Sequence, residues 1–167
     1  MRPAKMWADF RAENPDAPPT CQSWHFCENQ RDADELATLV LSGVKRATAG
    51  SVLEYDLANE PHPQVGDYSV VTNWAGEAQC VIRTTRIDTV AFHAVTAEFA
   101  ATEGEGPGEQ RGSLDYWRRV HWDYYTRVLA PFGAAPSEDM LILCERFDRV
   151  WPHRDSEYAT EACPHSC

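Results

Sequence analysis

The segment Gly43–Gly50, GVKRATAG, carries the side chains of this chain that are best suited to acid–base chemistry. It contains Lys45, one of only two lysines beside thirteen arginines among the 15 basic residues. An arginine stays charged, whereas a desolvated lysine can lose its proton and act as a base or nucleophile. Thr48 follows three residues later, and a hydroxyl beside a neutral amine is a recognised nucleophile–base pairing. The two side chains can share a cleft if a turn or bulge separates them, but in a regular strand they would point to opposite faces.

The elements around this segment are predicted from hydrophobic spacing. Residues 32–42 form a helix, because an acidic first turn precedes apolar residues at helical spacing and Gly43 suits the position just past its end. Lys45 therefore lies where a helix stops. Residues 46–52 are expected to form a strand and residues 53–58 a short helical turn.

The rest of the chain is predicted to alternate short strands and helices. β-Branched residues indicate strands at Asp67–Asn73 and Ala78–Asp88, joined by a link of hairpin length, and a last strand at Met140–Trp151. Helices are expected at residues 3–14, at Val95–Thr102, and from the N-cap Ser113 to about Leu129. Segment 20–30 is a loop or short strand, Asn59–Gly66 a turn, and Glu103–Gly112 too rich in glycine for regular structure.

This order of elements favours an α+β domain around a small mixed sheet or barrel, since hairpins replace regular βαβ alternation. At 167 residues the chain is most simply one domain. We expect that domain to span residues 1–151, with an N-terminal helical extension, and residues 152–167 to form a polar, disordered tail.

The charge and hydropathy of the chain limit its partners. A net charge of −11 repels polyanions at long range, so a tight, nonspecific nucleic-acid binder is not expected. The charge still permits a local basic cleft or a small nucleoside ligand. No apolar run approaches the roughly 20 residues that span a bilayer, and the N-terminus lacks a secretory signal. We therefore expect a cytoplasmic protein with no membrane partner, and no protein partner is indicated.

Six cysteines raise the question of a metal site or disulfides. Cys80 and Cys144 lie in apolar runs typical of a core. Cys21 and Cys27, and Cys163 and Cys167 at the end of the chain, lack the C-x2-C spacing usual for zinc. Reduced thiols without a metal are the prediction.

Four motifs in series carry a family resemblance: LATLVLSGVKRATA, VGDYSVV, EFAATEGEG and SLDYWRRVHWDYY. From about Asp32 to Trp151 the chain resembles the ASCH (activating-signal-cointegrator homology) family, in particular its longer bacterial members. The resemblance implies a PUA-like small mixed β-barrel flanked by helices. It also implies a cleft that accepts RNA or a modified nucleoside. Ribonuclease activity and amide hydrolysis of N4-acylated cytidine are both attributed to family members.

By position, the resemblance places the family's lysine on Lys45 and its threonine on Thr48. The acidic partner falls on Glu105, with Glu103 as the close competitor and Glu98 as a third candidate. The serine that opens the next helix falls on Ser113, although Pro107–Gly112 is longer than the link expected before it.

Other side chains could contact a substrate. Arg83 and Arg86, on a strand, could bind phosphate, and Tyr55, Trp74 and Trp117 could stack on a base. A solvated strand face is an equally good interpretation of the two arginines. Four residues at helical spacing are better explained by core packing: Trp117, His121, Tyr124 and Val128.

Three functions follow from these residues. In a ribonuclease, Lys45 stays charged beside the transition state, Thr48 and Ser113 bind phosphate, and Glu103 or Glu105 acts as a base or holds Mn²⁺ or Mg²⁺. In an amidohydrolase, a neutral Lys45 activates Thr48, Glu105 orients the lysine or protonates the leaving amine, and Ser113 stabilises the oxyanion. In a non-catalytic module, the same residues only bind an RNA or nucleotide. The motifs favour the ribonuclease narrowly.

Overall fold

The computed structural model describes residues 1–153, which form two compact units. The first unit contains Met1–Val44, Gly66–Arg83 and the chain from Asp148. The second contains Lys45–Val65 and Thr84–Phe147. Five strands form a mixed sheet in the order β1-β3-β4-β5-β2. Its two longest strands, β4 (Ala78–Ala91) and β5 (Leu141–Trp151), contribute residues to both units.

The first unit is built on helices α1 (Pro3–Glu13) and α2 (Gln30–Ser42) and strands β1 (Gln22–Trp24) and β3 (Tyr68–Thr72). Strand β1 runs parallel to β3, and β3 runs antiparallel to β4. Helix α2 begins at Asn29, whose side chain accepts the Asp32 N–H, and ends at Gly43 in the left-handed region at φ 79°. The apolar cluster of the first unit contains Met6, Trp7, Phe10, Ala17, Val70, Ala78, Val81 and Trp151.

The second unit holds all the elements that matter for the site. Strand β2 (Ala47–Ser51) pairs antiparallel with β5 and leads directly into α3 (Val52–Ala58). Helices α4 (Ala97–Glu103) and α5 (Leu114–Leu129) follow β4. The core of this unit is an apolar cluster of buried residues from β2, β5, α4, α5 and the segments next to these elements: Ala47, Phe92, Val95, Phe99, Ala100, Trp117, Tyr125, Leu129, Met140, Ile142 and Cys144.

The α+β class and the positions of the main elements agree with the sequence predictions. One prediction was wrong. The segment Glu103–Gly112 was expected to lack regular structure, but Glu103 is the last residue of α4 and Gly108–Gln110 form a short 3-10 turn. The backbone of this segment is tied together by hydrogen bonds from Gly112 N–H to the Glu105 carbonyl and from Ser113 N–H to the Gln110 carbonyl. Backbone hydrogen bonding therefore orders a stretch whose composition suggested a loop.

Among the described residues, Cys21, Cys27, Cys80 and Cys144 are free thiols, and the absence of a bound metal stays a prediction. Burial raises the pKa of Cys80 and of Cys144 to about 12, so both stay protonated. Cys163, Cys167 and most of the predicted tail lie outside the described residues. No helix within residues 1–153 is both long and apolar enough to cross a bilayer.

Candidate active site

Lys45 lies at the start of the second unit, between the end of α2 and the start of β2, and its side chain is 0% exposed. The backbone on its C-terminal side is fixed, because Arg46 N–H donates to the Thr102 carbonyl and Phe147 N–H donates to the Arg46 carbonyl. These bonds tie the segment both to α4 and to β5. A buried ammonium is costly unless it is paired, so its partners define the site.

Two carboxylates are those partners. Lys45 Nζ donates to Glu105 Oε1 at 2.5 Å and lies 3.5 Å from Glu103 Oε2. The Glu103 side chain is 1% exposed and that of Glu105 is 18% exposed. The cluster therefore has one carboxylate that is sealed inside the protein and one that reaches the surface.

The glycines between and after these glutamates bring both carboxylates to the same ammonium. Glu103 ends α4, and Gly104 at φ 63° turns the chain back on itself there. Gly106, at φ 109°, lies against the ring of Tyr116, where an added Cβ would come within 2.9 Å of the ring. Only glycine combines that backbone conformation with such a close approach. The Glu-Gly-Glu-Gly pattern is thus the local reason why residues two apart converge on Lys45.

The pKa values of the two glutamates are shifted in opposite directions. Burial alone would raise the pKa of Glu103, but the charges of Lys45 and His121 lower it to about 2. For Glu105, burial together with the charge of Glu103 raises the pKa above its usual value, although Lys45 opposes this. Two nearby carboxyls with separated pKa values are typical of an acid and a counter-charge that share one site.

His121, which the sequence assigned to core packing, belongs to this cluster. Its side chain is buried on α5 as core packing predicts, and its Nδ1 faces the Trp117 carbonyl at 2.9 Å. Its other nitrogen, Nε2, lies 3.4 Å from Glu103 Oε2. Burial alone would lower the pKa of His121, but Glu103 raises it. Helical spacing identified its buried face but could not show that α4 delivers a carboxylate to that face.

Glu103, Glu105 and His121 together could hold a metal ion, because one ligand atom of each lies within 4.8 Å of the others. Two carboxylates and an imidazole suit Mn²⁺ or Zn²⁺ better than Mg²⁺, which prefers oxygen ligands. The same carboxylates already face the ammonium of Lys45 at 2.5 and 3.5 Å. A metal fits this donor set only if Lys45 moves away from it.

Thr48 lies in the regular part of β2, half buried, directly opposite Glu145 of β5. Its neighbours Ala47 and Ala49 pack into the apolar cluster, so Thr48 points to the other face of the strand. Its pairing with Lys45 in one cleft stays a prediction. Ser113 caps α5, and its hydroxyl accepts the Tyr116 N–H at 3.2 Å.

The proposed substrate-contacting residues are placed in different units. Tyr55, in α3, is half buried in the second unit. Arg83 and Trp74 belong to the first unit. Arg83 is exposed in β4, with its guanidinium 5.4 Å from the ring centre of Tyr68, and Trp74 is 42% exposed beside the ring of His25. Their roles as ligand contacts stay predictions.

Two further polar residues were missed by sequence reasoning. Glu145 of β5 is 8% exposed, and Thr84 of β4 donates its hydroxyl to Glu145 Oε1 at 2.5 Å. Glu145 directly follows the apolar run Leu141–Cys144 within β5, and this position was its only signal in the sequence. A charged residue within a buried strand usually has a specific partner or role.

The comparisons with known proteins agree with this architecture. The family model of the ASCH domain matches residues 22–151 of this chain. The chain is similar to the crystal structure of an ASCH domain from Lactobacillus crispatus JV V101, with 31% identity, a TM-score of 0.80, and coverage of 88% of this chain and 92% of that one. It is also similar to the crystal structure of a protein from Enterococcus faecalis V583, with 28% identity, a TM-score of 0.79, and coverage of 88% and 86%.

No curated protein gives a significant match. The likeness to these solved structures confirms the predicted fold class.

Proposed function

Since the chain belongs to the ASCH domain family, we propose that it hydrolyses an amide carried on the base of a modified nucleoside, of which N4-acetylcytidine is the test case. The observation that supports this proposal is the contact of 2.5 Å between the buried Lys45 ammonium and the partly exposed Glu105 carboxylate. A pair at this distance can pass a proton between nitrogen and oxygen. Amide hydrolysis requires two proton transfers, one from the nucleophile and one to the leaving amine.

The chemistry can be assigned to the residues of the cluster. The Thr48 hydroxyl attacks the acyl carbon and gives its proton to Lys45, which is neutral when the shared proton lies on Glu105. The C–N bond breaks, and Glu105 gives its proton to the exocyclic nitrogen, which leaves as an amino group. Water then hydrolyses the acyl-threonine and releases the carboxylic acid. Burial and the charge of Glu103 raise the pKa of Glu105, and this direction suits a group that carries a proton and gives it to the leaving nitrogen.

Glu103 and His121 support the pair without touching the substrate. The buried negative charge of Glu103 lies 3.5 Å from Lys45 Nζ and 3.4 Å from His121 Nε2. It holds the lysine side chain in one place and balances its charge in a low-dielectric environment. Fixed geometry of this kind is what a proton-transfer step depends on.

The burial of Lys45 weighs against a phosphate ligand. A ribonuclease needs cationic groups that reach the phosphate, but this ammonium is 0% exposed and is already opposed by two carboxylates. A net charge of −11 adds a long-range repulsion of polyanions. An uncharged nucleoside needs no exposed cation and is not repelled by the net charge.

RNA cleavage remains the second candidate because of one observation, the metal-binding geometry of Glu103, Glu105 and His121. Those three residues would hold the ion, and a bound ion would supply charge stabilisation for a phosphate. This function predicts that cleavage depends on Mn²⁺ or another divalent cation. A non-catalytic module is the third outcome, in which a nucleoside binds and nothing turns over.

The test is to incubate the protein with N4-acetylcytidine and, separately, with single-stranded RNA with and without Mn²⁺. We expect release of cytidine and acetate, no cleavage of RNA, and loss of about 100-fold or more in kcat for Lys45→Ala, Lys45→Arg and Glu105→Gln. Thr48→Val should be inactive, whereas Thr48→Ser, which keeps the hydroxyl, should retain activity. Metal-dependent RNA cleavage that is lost in Glu105→Gln would support the second candidate instead.

The other lysine provides a matched control. Lys5 lies on the surface of α1, with 61% of its side chain exposed, in an ion pair with Asp9. Lys5→Ala removes the same charge and should leave kcat unchanged. Equal loss in both lysine variants would indicate an effect of net charge and would contradict a role for the buried site.

A further inference from the structure

A second polar cluster lies in the same unit as Lys45 and includes Thr48 of β2. Glu145 of β5 is 8% exposed and accepts the Thr84 hydroxyl at 2.5 Å. Glu145 and Thr48 are direct cross-strand partners in the antiparallel pair of β2 and β5. Directly opposed residues of such a pair project to the same face, so the hydroxyl of Thr48 and the carboxylate of Glu145 are neighbours.

Tyr55 covers this face from α3. A Cβ added at Gly50, two residues along β2 from Thr48, would lie 2.6 Å from Tyr55 Cε2 and 3.3 Å from its hydroxyl oxygen. The ring therefore rests directly on the backbone of β2, on the face that Thr48 shares. Burial, followed by the charge of Glu145, raises the pKa of Tyr55 to about 12, so the phenol keeps its proton near a carboxylate. An aromatic surface and a hydrogen-bond acceptor thus border the Thr48 hydroxyl.

This chemistry matches a nucleobase that carries an amino or acylamino group. A carboxylate accepts an N–H and cannot donate to a carbonyl, and acidic side chains pair with the exocyclic amine of cytosine for this reason. A carboxylate can take up to about four hydrogen bonds, so Glu145 can keep Thr84 and still accept from a ligand. Stacking of a base on an aromatic ring adds affinity that does not depend on the identity of the base.

We propose that Glu145, held by Thr84, is the residue that selects the base, and that Tyr55 supplies the stacking surface. Glu145 accepts the N–H on the exocyclic nitrogen, and this places the attached acyl carbon next to Thr48. The site then selects bases with an exocyclic amine or amide, such as cytosine, over those with a carbonyl there, such as uracil. This inference rests on the proposed function, because it takes the ligand to be a nucleoside.

The experiment measures dissociation constants of the full chain for cytidine, uridine, adenosine and inosine by calorimetry. We expect cytidine to bind about five- to 100-fold more tightly than uridine, and adenosine more tightly than inosine. Glu145→Gln can both donate and accept, so it should bring each pair within about twofold. Tyr55→Leu should weaken cytidine and uridine by similar factors, about five- to 100-fold. Glu138→Gln, on the exposed surface, is the matched control and should keep the preference.

The outcomes separate this inference from the proposed function. If N4-acetylcytidine is hydrolysed and Lys45→Ala abolishes that activity, but Glu145→Gln keeps the cytidine preference, then only the role of Glu145 is overturned. If wild-type protein binds cytidine and uridine equally, base selection by Glu145 is overturned without any variant. The inference can therefore be tested even if Glu145→Gln does not fold. If the protein neither hydrolyses N4-acetylcytidine nor binds a nucleoside, both proposals fail together.

Discussion

The imidazole of His121 is stacked on the indole of Trp117, one helical turn earlier, with ring centres 4.1 Å apart and planes inclined by 16°. The stack fixes the ring so that Nδ1 faces the Trp117 carbonyl and Nε2 faces Glu103. Both nitrogens then face acceptors, an arrangement that only the doubly protonated imidazolium satisfies in full. Lys45, Glu103 and His121 therefore form a buried row in which a carboxylate separates two cationic groups.

The charge on His121 predicts a stability that depends on pH. A folded pKa above the unfolded value contributes stability below about pH 6.5, and that contribution is lost as pH rises through the raised folded pKa. We expect the free energy of unfolding, measured with urea, to separate wild type from His121→Gln more at pH 6 than at pH 9. His62→Gln, at a surface ion pair with Asp56, should change stability by no more than about 0.5 kcal/mol. If the difference in unfolding free energy between wild type and His121→Gln grew toward pH 9, this would contradict a charged His121 in the folded protein.

The carboxylate of Glu103 predicts a stability that depends on pH in the opposite direction. Its folded pKa of about 2 lies below its unfolded value, so its contribution is complete above about pH 5 and is lost as pH falls toward 2. Glu103→Gln leaves Lys45 and His121 without their shared counter-charge and should cost about 3–5 kcal/mol at pH 7. The difference from wild type should shrink between pH 5 and pH 3. Glu98→Gln, on the same helix with a side chain that is 77% exposed, should cost less than about 1 kcal/mol at every pH.

The burial of Lys45 predicts that the two lysines differ in reactivity. An amine reacts with an acylating reagent only when the reagent reaches it, and Lys45 is 0% exposed whereas Lys5 is 61% exposed. Brief treatment with acetic anhydride, followed by peptide mass spectrometry, should acetylate Lys5 and the N-terminus and spare Lys45. In urea both lysines should react. Early acetylation of Lys45 in the native protein would show that the amine is open to solvent and would remove the basis of the site.

The contact between Gly50 and Tyr55 predicts a coupled pair of substitutions. Gly50→Ala places a methyl group 2.6 Å from the Tyr55 ring, so the ring must move, at a cost of about 1–3 kcal/mol. The cost should be smaller when Tyr55→Ala is present, because the clash is then absent. A double-mutant cycle by urea denaturation measures this coupling. Additive effects would mean that the ring does not rest on β2, and the proposed base-binding surface would lose its support.

The positions of most elements could be predicted because their signals are local. Helix α2 has Asp32 in its first turn, apolar residues at helical spacing and a terminal glycine. It occupies Gln30–Ser42, so it ends where predicted and begins two residues earlier. Strands β3 and β4 are rich in β-branched residues and joined by a short link. The prediction failed at Glu103–Gly112, where the glycines that suggested a loop instead allow a tight, hydrogen-bonded turn after α4.

What the sequence alone determined is which residues are chemically unusual: a rare lysine after a helix and a glutamate–glycine repeat. Residue type and near-neighbour spacing are enough for that, because both are properties of a short segment. The family resemblance left Glu105, Glu103 and Glu98 as alternatives for the acidic partner of Lys45. Only the tertiary structure decided among them, because Lys45 and Glu105 are 60 residues apart in the chain and both Glu103 and Glu105 face the ammonium. Contacts over such separations depend on how α4, α5, β2 and β5 pack together, and no local pattern encodes that packing. For this reason His121 and Glu145 acquired candidate roles only after folding was known.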